Sequence, residues 1–102
     1  MRIIAELPHP EFKISILNMN RKFIVKIEKG AFEQSYKIAE ADLVDDVNSV
    51  FELLDEVFLK TVAERFIEMR KDFSESFKRY NYWLSQRNSI NWKTAIYLII
   101  HD

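Results

Sequence analysis

Residues 42–83 contain neither Gly nor Pro, and across them apolar residues return at three- and four-residue steps. Val47, Phe51, Leu54, Phe58, Val62, Phe66, Met69, Phe73, Phe77 and Tyr80 mark a period that belongs to one face of an α-helix. A chain built on such a stretch cannot be all-β, and it needs something for the stripe to cover. One helix of that length would outrun a small sheet. Either it breaks near Asp55, or its far end packs on something else. Ser49-Val50-Phe51-Glu52 fits a capping box, which predicts that the main helix starts there after a short helical turn from Asp42. Glu56/Lys60, Lys71/Glu75 and Glu75/Arg79 sit four apart, where opposite charges on a helix each add about 0.3 kcal/mol.

The period is different before residue 40. Ile3, Ala5 and Leu7 alternate in a first short strand that Pro8-His9-Pro10 ends, because neither proline can donate to a ladder. Phe12, Ile14 and Ile16 then face one way while Lys13 and Ser15 face the other. Asn18-Met19-Asn20-Arg21 reads as a hairpin connection, since Asn tolerates the left-handed backbone. Phe23, Val25 and Ile27 repeat the alternation, and Lys29-Gly30-Ala31 turns the chain at its one glycine. A further strand places Phe32, Tyr36 and Ile38 inward, with Glu33, Ser35 and Lys37 outward. One apolar and one charged face describes a sheet covered on one side only. The expected fold is therefore α+β: a three- or four-stranded antiparallel β-meander followed by long helix packed on one face. Its 102 residues read as one domain, with the meander over 1–39, helix over 42–84 and a C-terminal extension over 85–102. In that extension Asn88-Ser89-Ile90-Asn91 reads as a loop. Trp92 to Ile100 fits a last helix or a strand, with helix preferred.

Charge follows the same division. Residues 1–39 carry seven basic and four acidic groups, a net +3; residues 40–59 carry seven acidic groups and no basic one. Residues 60–102 return to +3 with eight basic and five acidic groups. Acids before bases along helix suits the macrodipole, so this order is explained without a partner. The absence of Cys excludes a disulfide, a thiolate nucleophile or a cysteine-held metal. The first residues lack the apolar stretch of a signal peptide, and the longest apolar run, Ala95 to Ile100, is far short of a membrane span. The expectation is a cytoplasmic protein with no membrane contact.

Catalytic motifs are missing. One Gly cannot form a phosphate-cradling loop. His9 stands between prolines and His101 near the end of the chain, at no metal-ligand spacing, so both read as surface histidines. Glu52 and Glu56 are four apart and could face one cation, but a solvated acidic helix start explains them better. No serine has an elbow or a base beside it. No catalytic residue, cofactor, metal or small molecule is implied.

Two binding surfaces suggest themselves. Leu53, Ala63 and Ile67 form a second, thinner stripe opposite the main one, as on a helix that touches two bodies. This favours a protein-protein interaction or self-assembly module, as a homodimer or docked to another protein, through Phe66, Ile67, Phe73, Phe77 and Trp83. The alternative lies in residues 78–93, where Arg79, Arg87 and Lys93 interleave with Tyr82 and Trp83 and no acid intervenes. Cations contact phosphates and aromatic faces stack bases, which is the composition of a single-stranded nucleic-acid surface. The sequence pI near 6.1 weighs against it.

The stretches MRIIAELPHP (1–10), FEQSYKI (32–38) and ERFIEMRKDF (64–73) resemble a group of short bacterial proteins of unknown function. The likeness covers roughly the first eighty residues. It implies a sheet followed by helix, with no assigned activity and no functional residue to carry over.

Overall fold

A computed structural model describes residues 1–86 of the chain. Four strands, β1 (Arg2–Leu7), β2 (Lys13–Met19), β3 (Lys22–Lys29) and β4 (Phe32–Ala39), pair antiparallel in sequence order. A 3-10 turn (Glu40–Asp42) leads into helices α1 (Asp46–Leu53) and α2 (Glu56–Gln86). The fold is α+β, and the meander has four strands. By its internal contacts the chain divides into two compact units, Met1–Ile67 and Glu68–Asp102.

The first unit holds the core. Ile14, Ile16, Phe23, Val25 and Ile27 are buried on one face of the sheet, as the period-two pattern requires. Val50 of α1 and Val62 and Phe66 of α2 are buried with them. Phe66 packs against Phe12 with ring centroids 5.5 Å apart, and Phe58 meets Tyr36 edge-on at 5.2 Å. The alternation of β4 leaves out one residue that matters. Gln34 is inward and buried; its Nε2 donates to the Val62 carbonyl at 3.0 Å, and its Oε1 accepts from the Tyr36 hydroxyl at 2.8 Å. A buried amide is tolerated only when so satisfied, and here it ties α2 to the sheet.

The opposite sheet face is polar at one end and apolar at the other. Glu28 and Glu33 stand directly across from each other, a repulsive pairing that Lys26 offsets by reaching both, at 3.6 and 3.5 Å. Further along, Ile3, Leu17 and Ile24 form one row across three strands, and Leu17 is buried between them. Ile3 was expected to share a face with Ala5 and Leu7. A bulge between Ile3 and Ala5 overturns that: Ala5 pairs with Ile16 and Leu7 with Ile14 on the core face, whereas Ile3 pairs with Leu17 on the other.

Connections are tight and individually explained. Asn20 (φ 53°) and Arg21 (φ 61°) are the two central residues of the β2–β3 hairpin, both left-handed, as a type I′ turn demands. Arg21 is an unusual occupant, and its carbonyl accepts the Glu40 amide at 3.0 Å, while Glu40 Oε1 accepts from Asn18 Nδ2. These two bonds fasten the end of β4 to the hairpin. Gly30, at φ 59°, supplies the left-handed residue of the next turn. Between β1 and β2, His9 Nδ1 accepts the Glu11 and Phe12 amides and its ring stacks on Phe12 at 4.6 Å. It is a turn-forming histidine in the tautomer with a proton on Nε2.

The helical stretch is broken, and the break falls at Asp55. Residue Leu54 leaves helical geometry (ψ 58°), and Asp55 Oδ1 accepts the Phe58 amide at 2.8 Å, capping the start of α2. The expected start at Ser49 is corrected. Ser49 lies inside α1, and its hydroxyl accepts the Asp45 amide at 2.9 Å. The expected pairs Glu56/Lys60, Lys71/Glu75 and Glu75/Arg79 are not among the ion pairs of the described residues, all of which lie in the sheet unit. Water competes effectively for such exposed charges, because each pair is worth only about 0.3–0.5 kcal/mol.

Candidate interaction surface

The second half of α2 sets the candidate surface. Over its residues 68–86 the apolar period continues through side chains that are well exposed. Phe73 (53% exposed), Phe77 (52%), Tyr80 (58%) and Leu84 (39%) follow one another at steps of four, three and four. At 100° per residue they fall in a band roughly 40° either side of Phe73. Their rings touch in series: Phe73 and Phe77 are edge-to-face at 5.1 Å, and Phe77 and Tyr80 at 6.3 Å. Edge-to-face packing along the helix gives the stripe a fixed relief.

The five residues expected to form the interaction surface separate. Phe73 and Phe77 are on the exposed stripe. Phe66 is not: it is 3% exposed and its ring meets Phe12, so it is a core residue, because this part of α2 covers the sheet. Ile67 is 69% exposed but lies about 120° around the helix from Phe73. Trp83 is half-buried and packs edge-on against Tyr82 at 5.1 Å. Tyr80 and Leu84 complete the stripe; Tyr80 belongs to the apolar period of the sequence, and Leu84 continues it one step further.

Of the alternative nucleic-acid surface, Arg79, Tyr82 and Trp83 are described, and their three- and four-residue spacing puts them on one side of α2. Arg87 and Lys93 lie outside the described residues, as do His101 and the segment 88–100. Acids share the helix with these cations: residues 68–86 hold Glu68, Asp72 and Glu75 against Arg70, Lys71, Lys78 and Arg79.

Among the described residues little else has the character of a site. Glu52 and Glu56 fall on different helices, so their spacing no longer turns them toward one cation. Among the described residues no three His, Asp or Glu side chains are grouped to hold a metal ion. A shallow depression at the β2–β3 hairpin is lined by Asn20, Arg21, Lys22, Ala39, Glu40 and Ala41. Its one carboxylate is already engaged with Asn18. No described helix is long and apolar enough to cross a membrane. Compared with known proteins, the chain matches no family model, no curated protein and no solved structure, so its own residues carry the functional reading.

Proposed function

We propose that this protein is a small interaction module that assembles with a protein partner through the exposed stripe of α2, and that it acts in the cytoplasm without catalysing a reaction. One observation supports the reading above the others. The apolar period of α2 is buried at Val62 (0% exposed) and Phe66 (3%) and continues unchanged through Phe77 and Tyr80, which stay more than half exposed. Aromatic side chains in series on a rigid helix are the usual anchors of protein interfaces, since they bury much area at small entropic cost. Exposing them without a partner costs solubility for no structural return.

The test compares the full chain with Phe77→Glu/Tyr80→Glu. Both proteins are isolated from the cells that make them, and mass is read by light scattering after size exclusion. A dimer mass, or a companion protein in fixed stoichiometry, that the variant loses while keeping its helical circular dichroism is the expected result. A monomer with no companion in both preparations would sink the reading. Short-wavelength absorbance that co-elutes with the chain and is stripped by salt would instead promote the Arg79, Tyr82 and Trp83 side as a single-stranded nucleic-acid surface.

A further inference from the structure

The corner between β1 and β2 is closed by a single ring nitrogen. His9 is half-buried between Pro8 and Pro10, and its Nδ1 accepts the Glu11 amide at 3.1 Å and the Phe12 amide at 3.3 Å. The prolines on either side stiffen the corner and offer no amide of their own. The imidazole lies flat on Phe12, with ring centroids 4.6 Å apart and planes 10° from parallel. Phe12 is 5% exposed and joins this corner to the core through Phe66 of α2. An imidazole has one acceptor nitrogen when neutral and none when protonated. Nδ1 therefore holds either the two amides or a proton, never both.

We propose that this turn is a proton-operated latch, closed while His9 is neutral and opened as the ring takes up a proton between about pH 7.5 and about pH 5, where histidine changes charge. On protonation Nδ1 becomes a donor aimed at two donors, and both amide bonds are given up. The charged groups of the corner do not hold the ring in its charged form. Glu11 would attract it, but its carboxylate lies 4.0 Å from Lys29 Nζ, and that ammonium also stands 5.6 Å from the centre of the Phe12 ring. Glu6, Lys13 and Glu28 belong to the opposite sheet face, and α2 meets the cluster with the uncharged Phe66. The sign follows from the competition at Nδ1. What the closed turn adds to stability is whole above the range of histidine and is lost as pH falls through it. Phe12 then gives up the bond on its amide, so acid slackens the seat of Phe66 at the covered half of α2. The latch is independent of what the exposed stripe binds.

The test follows urea unfolding of the full chain at about pH 7.5 and about pH 5, above the range where most carboxylates titrate. The chain has two histidines, so His101→Gln is placed in every version and leaves His9 alone to titrate. In this parent the ratio of folded to unfolded protein falls roughly fivefold or more on acidification, the weight of about one such hydrogen bond. His9→Asn puts an amide oxygen where Nδ1 stood, and that oxygen accepts the same two amides at either pH. Its pH dependence is smaller than the parent's by that factor, whatever its absolute stability. His9→Ala is less stable than the parent at about pH 7.5 and approaches it at about pH 5. Equal pH dependence in the parent and in His9→Asn would overturn the proposal. Should either substitution prevent folding, the parent's own ring decides. Nitrogen NMR at about pH 7.5 then finds Nδ1 without a proton, and the amide signals of Glu11 and Phe12 move on acidification. A proton on Nδ1, or amide signals that stay in place, would refute the latch on its own.

Discussion

The two halves of α2 carry one apolar pattern and meet different fates. Through Ile67 the pattern is consumed: Val62 and Phe66 are buried, Phe58 leans on Tyr36, and Gln34 holds the Val62 carbonyl. From Glu68 onward the same steps run through Phe73, Phe77 and Tyr80 with their rings half in solvent. The difference is not one of helix propensity or of hydrophobicity. It lies in exposure: the sheet takes up the stripe as far as Phe66, and beyond it the rings stand half in solvent. Periodicity names the face a helix wants covered and is silent about the cover.

That contrast can be broken most sharply at Phe66. Phe66→Ala removes a 3% exposed ring from contact with Phe12, and such truncations cost about 3–5 kcal/mol. A domain of this size holds only about 5–15 kcal/mol in total, so urea unfolding should show a large fall in midpoint. A loss below about 1 kcal/mol would mean the buried half is not the anchor it is taken to be. A smaller effect belongs to Gln34. Gln34→Met keeps the volume but gives up the bond to the Val62 carbonyl and the one from the Tyr36 hydroxyl, at about 1–2 kcal/mol. Unchanged stability would show that apolar contact alone seats α2.

What could be read from the sequence divides along the same lines. Alternation in Ile14–Ile16 and in Phe23–Val25–Ile27 was sufficient for the sheet and its core face, since those strands keep strict register. Ile3 defeated it, because a bulge shifts the phase by one residue without any glycine or proline to announce it. The break between α1 and α2 had a visible signal, Asp55 three residues before Phe58, although no helix breaker stands there. The stop comes from the preference of Asp for a cap, which is weak in sequence and decided by tertiary packing. Gln34 was invisible for another reason: a polar residue in an inward phase reads as noise until its partners on α2 and Tyr36 are in place. On the candidate surface, the period placed Phe73 and Phe77 together. It wrongly included Phe66, because the length of sheet that α2 covers is a three-dimensional quantity.

Phe77→Ala should have the smallest effect, and its smallness is informative. The substitution removes ring contacts with Phe73 and Tyr80, exposed pairs worth about 0.5–1 kcal/mol together. Ala is the better helix former by about 0.5 kcal/mol, so the two terms nearly cancel. Unfolding measured on dilute protein, where mass action keeps any assembly from contributing, should move by less than about 0.5 kcal/mol. At high concentration the same variant should fall behind wild type, because a partner that binds only the folded chain stabilises it in proportion to its occupancy. A cost above about 2 kcal/mol in dilute solution would put Phe77 under cover supplied by its own chain. The two halves of α2 would then be alike, and the interface would have to be sought on another face of the molecule.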